Sequence, residues 1–328
     1  MDTSHQGLIE QLQASRQPIS AQDTMAEAGR KALVADFIKM LQNEEGCRQG
    51  EDSNAVHDMR VGTRRMRSTL RLLSTYYKTK AIQPHLDSMK SVADALGGVR
   101  DLDVMMDEIK KFGEAAGENA SDGENAGMQP ILEQLEKQRG KAQKALTKAL
   151  DKREYREFVK DFTAFLNKPG KGAMPVDADE LQPFQVRHLL PELIYEHLGA
   201  VRAYDDIIET ADEPTLHQLR IEFKRLRYAV AIFSEVLGSG IGEFIEELKV
   251  MQDHLGKLND LHVAQEQMNE IARKLDPEQE NALALALAEY IEHLGEEYAT
   301  VRAGVSEKWQ HFNTKKVQRQ LANAVAGL

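Results

Sequence analysis

The sequence contains one cysteine, Cys47, so no disulfide can form within the chain, and a free cytosolic thiol is the expected state. Aromatic residues make up 6% of the chain and Trp309 is its single tryptophan, which leaves few platforms for stacking on nucleic-acid bases. No apolar run approaches the ~18–20 residues that a membrane helix needs. The N-terminal MDTSHQGLIEQLQASRQ has no charged segment followed by an apolar one, so no signal peptide is expected. Sustained alternation of β-branched and polar residues is missing throughout, which argues against a sheet. Positive charge is also in the minority: 42 Lys and Arg stand against 53 Asp and Glu, a formal charge of −11. The chain as a whole would repel DNA, so any basic site must arise by segregation of charge. These absences leave a soluble, cytoplasmic, non-membrane protein as the expectation.

What is present is helical. Ala, Leu, Glu, Lys and Gln are abundant, and apolar residues recur with a period near 3.6. The periodicity predicts helices over 25–46, 54–78, 82–112 and 129–166, a second set over 184–209, 214–237, 240–275 and 277–312, and a short C-terminal helix over 315–326. Ser53 or Asn54 can cap the second helix; Asp212 followed by Pro214, and Asp276 followed by Pro277, start two others. GEAAGENASDGENAG (113–127) and NKPGKGAMPVDADELQP (167–183) lack helical patterning and read as loops, the latter as a linker. The expected organisation is therefore an N-terminal tail (1–24), a first four-helix half (25–166), a linker (167–183), a second half (184–312) and a C-terminal tail (313–328).

The halves resemble each other. HDMRVGTRRMR (57–67) and HQLRIEFKRLR (217–227) share the histidine and three arginines in register, with Arg64 opposite Lys224. MKSVADALGGVRDLDV (89–104) and LKVMQDHLGKLNDLHV (248–263) share Lys90/Lys249, Asp94/Asp253, Gly97/Gly256 and Asp101/Asp260. Two segments matching in the same order point to an internal duplication of a four-helix unit.

On a helical wheel His57, Arg60, Arg64, Arg67 and Arg71 fall within an arc of about 80°. Met59, Gly62, Met66, Leu70 and Leu73 lie opposite, and Arg65 sits on the shoulder. The second copy places His217, Arg220, Lys224 and Arg227 on one face, Arg225 on the shoulder, and Leu219, Phe223, Leu226, Val230 and Phe233 behind. A solvated helix face normally mixes signs, because like charges three or four residues apart repel by a few tenths of a kcal/mol. Neither stripe contains an acid. Either a polyanion relieves the repulsion, or acids of a neighbouring helix do, with Asp101, Asp103, Asp253 and Asp260 as the available partners. Steps of three and four residues space the cations about 5–6 Å apart, close to the repeat of a linear phosphate chain, and arginine forks bind phosphate oxygens in pairs. RNA held by its backbone would place similar demands on the surface. A third possibility is phosphoryl transfer through His57, since HDMRVG resembles the H-x-L-K-G of histidine phosphotransfer bundles; the second copy lacks that glycine.

VHDMRVGTRRMRSTL followed by LGGVRDLDV, and LHQLRIEFKRLRY followed by LGKLNDLHV, resemble the repeated signatures of the CHAD domain, the conserved histidine α-helical domain. The resemblance covers about 25–312. It implies an all-α fold of two four-helix bundles related by pseudo-twofold symmetry, with basic helices lining a central groove or pore. It implies binding of inorganic polyphosphate without catalysis, and in some members targeting to polyphosphate granules. The contacts it implies are His57, Arg60, Arg64, Arg65, Arg67 and Lys90 in the first half and His217, Arg220, Lys224, Arg225, Arg227 and Lys249 in the second; Arg71 extends the first stripe. The chain departs from strict repetition where Ala231 faces Arg71 and Asn259 faces Arg100. The CYTH domain often fused to this family is not recognisable: the ExExK motif and its strands are missing. No cofactor is expected, and no spacing of zinc ligands is visible. Gly97 and Gly256 are expected at close helix approaches or kinks beside the basic helices, Asp101 and Asp260 as orienting groups for cations, and Trp309 as a packing residue.

Overall fold

Two aspartates set the frame. Asp52 accepts a hydrogen bond from the backbone N–H of Asn54, and Asp212 accepts one from Thr215. Each caps a helix of 20 residues, Ser53–Leu72 and Glu213–Ile232, with Pro214 in the first turn of the latter. The cap expected at Ser53 or Asn54 thus belongs to Asp52, whose carboxylate reaches the second N–H of the helix. The computed structural model describes residues 5–117, 127–177, 183–275 and 281–328. Among them the helices are α1 (Gln6–Ser15), α2 (Met25–Gln42), α3 (Glu44–Gln49), α4 (Ser53–Leu72), α5 (Thr79–Gly117), α6 (Gln129–Asp151), α7 (Arg153–Leu166), α8 (Val186–Arg202), α9 (Glu213–Ile232), α10 (Ile241–Ala272), α11 (Asn281–Ala303), α12 (Val305–Phe312) and α13 (Lys315–Val325). The described residues form no extended strands, only isolated bridges. The fold is all-α, as expected.

In the first half α4 packs between α2 and α5, and α6 and α7 pack on α5. In the second, α9 packs between α8 and α10, while α11, α12 and α13 pack on α10. The halves meet through α4 against α9 and α2 against α8. One hydrophobic core runs through both, from Ile9 to Ala324. A smaller core joins the far ends of the long hairpins: Met106, Ile109, Ile131 and Leu135 cluster with Leu261, Met268, Leu287 and Tyr290.

Several elements differ from the sequence reading. The tail 1–24 contains α1, which buries Ile9 and Leu12 and is pinned where His5 Nε2 lies 2.8 Å from Glu44 Oε2. Its apolar pattern is too short to stand out as periodic. The helix expected over 54–78 ends at Leu72 and is followed by a 3-10 turn, Ser74–Tyr76. The helix expected over 129–166 breaks at Lys152, whose backbone is extended, and that over 277–312 breaks at Gly304. The final segment forms α13, which buries Val317, Leu321 and Ala324. In the linker, Lys78 N–H donates to Gly172 O at 2.8 Å and Met174 N–H to Tyr76 O at 2.9 Å, which ties that segment to the start of α5. Asp276 and Pro277 lie outside the described residues, as does most of 113–127.

Candidate anion-binding groove between the two halves

The apolar faces of α4 and α9 fix where their basic faces point. Met59, Met66, Leu70 and Leu73 are buried, as are Leu219, Phe223, Leu226, Val230 and Phe233. Phe223 sits edge-on to Trp309 and Phe312, at ring separations of 6.0 and 5.0 Å, so Trp309 packs as expected. Gly62 lets α2 approach α4: a Cβ there would stand 2.8 Å from the carbonyl oxygen of Asp36. With these faces committed inward, His57 and Arg64 are left exposed and Arg60 and Arg67 half-buried.

In the first half the expected residues separate into paired and unpaired groups. Arg60 Nη1 bonds Asp101 Oδ1 at 3.0 Å. Gly97 makes room for that guanidinium, since a Cβ would come within 2.9 Å of Nη1. Arg65, on the shoulder, turns toward α2, where its Nε lies 3.0 Å from Asp36 Oδ1. Asp36 is 8% exposed, and burial pushes its carboxyl up to about 6 although Arg65 pulls the other way. Arg64, Arg71 and Lys90 make no ion pair or side-chain hydrogen bond among the described residues. Arg67 faces Arg71 and Asp94, and its guanidinium is held below the usual range, first by burial and then by Arg71. His57 is likewise held below the ordinary imidazole range by partial burial, then by Arg100. It is therefore largely neutral near pH 7.

In the second half Lys224 is the focus. Arg220 and Arg227 on its own helix and Arg64 from α4 disfavour its charge, and Asp260 on α10 opposes them. Burial, followed by these arginines, lowers its ammonium to about 8. The two stripes thus converge where α4 meets α9. Arg220 is unpaired among the described residues. Arg227 lies over the Tyr228 ring at 5.6 Å. Its Nε is buried without a hydrogen-bond partner, and so is the corresponding Nε of Arg67. Arg225 turns away to Glu222 Oε1 at 2.7 Å. His217 Nδ1 pairs with Asn259 Oδ1 at 2.8 Å. Lys249 is exposed, with its Nζ 3.8 Å from Glu246. Gly256 has no neighbour within 4 Å of a Cβ position, so the close approach expected there is not made.

The repeat is thus chemically uneven. Where the first half has Gly62, the second has Glu222, which takes the shoulder arginine. Where the first half places Arg100 beside His57, the second places Asn259 against His217. Three participants were missed by the sequence reading. Arg100 stood within the quoted motif but off the stripe. Asp36 and Glu222 neutralise the shoulder arginines, and no spacing in the chain links Asp36 to Arg65. Of the acids named beforehand, Asp101 pairs with Arg60, while Asp103 pairs instead with Arg139 at 2.8 Å. Neutralisation is therefore local: Arg60, Arg65 and Arg225 are engaged, whereas Arg64, Arg71, Arg220 and Lys224 have no acid in ion-pair contact among the described residues. No group of three or more His, Cys, Asp or Glu in the described residues could hold a metal ion. No helix among them is long and apolar enough to cross a membrane. Such a cluster of clustered, uncompensated cations can hold an anion by charge-assisted hydrogen bonds.

Comparison with known proteins converges on the same segments. The uncharacterized protein Rv2226 of Mycobacterium tuberculosis H37Rv is 25% identical over 236 residues, 72% of this chain and 44% of that protein. The uncharacterized protein MT2285 of strain CDC 1551 is 24% identical over the same share. The chain spans less than half the length of these curated relatives. Among solved structures, the CHAD domain from the plant Ricinus communis matches with a TM-score of 0.63 and 22% identity, covering 96% of both chains. PptA from Streptomyces chartreusis matches with a TM-score of 0.67 and 16% identity over 88% of this chain and 99% of that one. Both structures share the fold. The CHAD domain profile matches residues 31–269, which include both basic helices, α5 and most of α10, and the chain belongs to the CHAD domain family.

Proposed function

We propose that this protein binds inorganic polyphosphate, without catalysing its turnover, in the groove where α4 and α9 meet. The observation that carries this reading is the convergence of Arg64, Arg220, Arg227 and Lys224 from two halves of the chain where α4 packs on α9, with Asp260 opposing their effect on Lys224. Bringing like charges together raises the free energy of the empty fold, and a linear polyanion removes that cost. Arg67, Arg71, Lys90, Arg100 and Lys249 extend the cationic surface on either side, His57 and His217 lie beside it as imidazoles, and Arg60 is already engaged by Asp101. Arg65 and Arg225 contribute less, because Asp36 and Glu222 already occupy them. Acids elsewhere on the surface keep other polyanions away. Association with polyphosphate granules would follow from the same contacts.

Titration calorimetry with polyphosphate and with mixed-length RNA tests the reading. Tight, salt-sensitive binding of polyphosphate with much weaker binding of RNA is expected. Equal affinity for the two, or no binding at low salt, would overturn it. Acid-labile phosphorylation of His57 by an acyl-phosphate-bearing partner domain would instead favour phosphoryl transfer.

A further inference from the structure

Residues of α2, α4 and α9, together with the segment from Arg16 to Ile19, surround a cavity of about 240 Å³. It has room for several waters but is small for a nucleotide or a cofactor. Both halves of the chain supply its walls. His57, Arg64, Arg220 and Lys224 do not line it, so it is not the basic groove, although Arg227 takes part in both. One side is apolar, built from Ile19, Ala32, Ala35, Ala231 and Ile232. Ala231 stands where the second basic stripe stops, opposite Arg71 of the first. The small side chain at that break in the repeat helps leave the cavity open.

The polar side is unevenly satisfied. Arg16, Lys31, Arg65 and Arg227 stand against Asp36 and Glu235. Two of these cations are already held: Lys31 lies 2.7 Å from Asp23, and Arg65 lies 3.0 Å from Asp36. Glu235 accepts the backbone N–H of Ile19 at 3.1 Å, and Arg16 Nη2 stays 3.9 Å from its other oxygen, beyond hydrogen-bond reach. Arg227 makes no ion pair among the described residues, and its Nε is buried without a partner. Tyr228 is 9% exposed, and its hydroxyl is buried without a partner as well. A buried phenol ordinarily finds one, because leaving a donor unmade costs more than making the bond gains.

We propose that this cavity is a binding site for a small organic carboxylate, whose oxygens accept hydrogen bonds from Arg227 and the Tyr228 hydroxyl and whose apolar body lies against the alanines of α2 and α9. The unspent groups match one carboxylate: a guanidinium, a phenol hydroxyl and a loosely held second guanidinium at Arg16 face a group that accepts several hydrogen bonds on two oxygens. A polyphosphate chain would find too few free cations here and would desolvate its charge against an apolar wall. The site goes beyond the polyphosphate reading and does not depend on it.

The test uses the intact protein and benzoate as the probe, followed by saturation-transfer proton NMR. Saturable binding in the low-millimolar range or tighter is expected for a ligand of this size. Benzyl alcohol, which has the apolar body without the charge, should bind at least about fivefold more weakly, and inorganic phosphate, which has the charge without the body, should not displace benzoate at equal concentration. Tyr228→Phe removes only the hydroxyl and keeps the ring beneath Arg227; it should weaken benzoate about fivefold. Ala231→Leu fills the cavity and should abolish binding while leaving polyphosphate titrations unchanged. Circular dichroism checks that each variant is folded, and Tyr228→Phe alone decides the matter where Ala231→Leu is not. No saturable binding of benzoate, equal binding by wild type and Tyr228→Phe, or displacement by equimolar phosphate would each overturn the proposal. Benzoate binding that Tyr228→Phe weakens, in a protein that fails to bind polyphosphate, would uphold the cavity site and reject only the polyphosphate reading.

Discussion

At the scale of single residues, the site is a balance between cations that have acids in contact and cations that do not. Lys224 shows the consequence most clearly. Its ammonium is lowered in the folded protein relative to an unfolded chain, so the charged form costs the fold stability at every pH below about 8. That cost is relieved as pH rises from about 8 toward the ordinary lysine value. Lys224→Met should therefore raise the melting temperature of the free protein at pH 7 and leave it little changed near pH 10, as differential scanning calorimetry would show. The same substitution should weaken polyphosphate binding roughly tenfold, about 1.4 kcal/mol. A bound anion restores the charged form of the wild-type lysine, so binding at pH 8.5 should take up protons. Calorimetry in buffers of different ionisation enthalpy measures that uptake. The lysine and its arginines were legible in the sequence as a stripe. Their mutual effect was not, because it depends on Arg64 meeting Lys224 across the two halves.

At the scale of helices, the repeat dictated most of the framework. The buried faces of α4 and α9 follow directly from the 3.6 periodicity, since Met59, Met66 and Leu70 recur at that spacing and so do Leu219, Phe223 and Leu226. What the periodicity does not carry is the approach of one helix to another. Gly62 was visible only as a small residue on the apolar face, yet it sets the crossing of α2 over α4. Gly62→Ala should destabilise the protein by about 1–3 kcal/mol in urea unfolding, because the added methyl meets a backbone carbonyl that cannot rotate away. The usual gain of alanine over glycine inside a helix, about 0.5–1 kcal/mol, is too small to compensate. The paired position in the second half already carries Glu222, so Glu222→Ala should change stability much less. The short α1 escaped notice for a different reason: its two buried residues span a single turn, too little for a period to emerge.

At the scale of the whole molecule, the two halves carry unequal charge. Arg71 and Arg100 have Ala231 and Asn259 as their counterparts, and neither arginine has an acid in ion-pair contact among the described residues. The first half should therefore hold the ligand more strongly. Arg71→Ala combined with Arg100→Asn writes the second half's residues into the first, and should reduce polyphosphate affinity by roughly tenfold or more at low salt, about 1.4 kcal/mol. The difference should shrink as salt is added, because screening removes the contribution of exposed charge first. A series of calorimetric titrations at rising ionic strength would establish both effects.

The contact between α4 and α9 also bears on how the chain reaches this structure. Each helix can form early beside its own neighbours, since α4 packs on α5 and α9 on α10 close along the chain. The meeting of α4 with α9 joins segments far apart in sequence, and it brings like charges together beside the shared hydrophobic core. Docking of the halves should therefore come late, with like-charge repulsion as a barrier to it. A polyanion bridging the two stripes would lower that barrier, so the molecule that fills the groove would also act as a guide for assembling it.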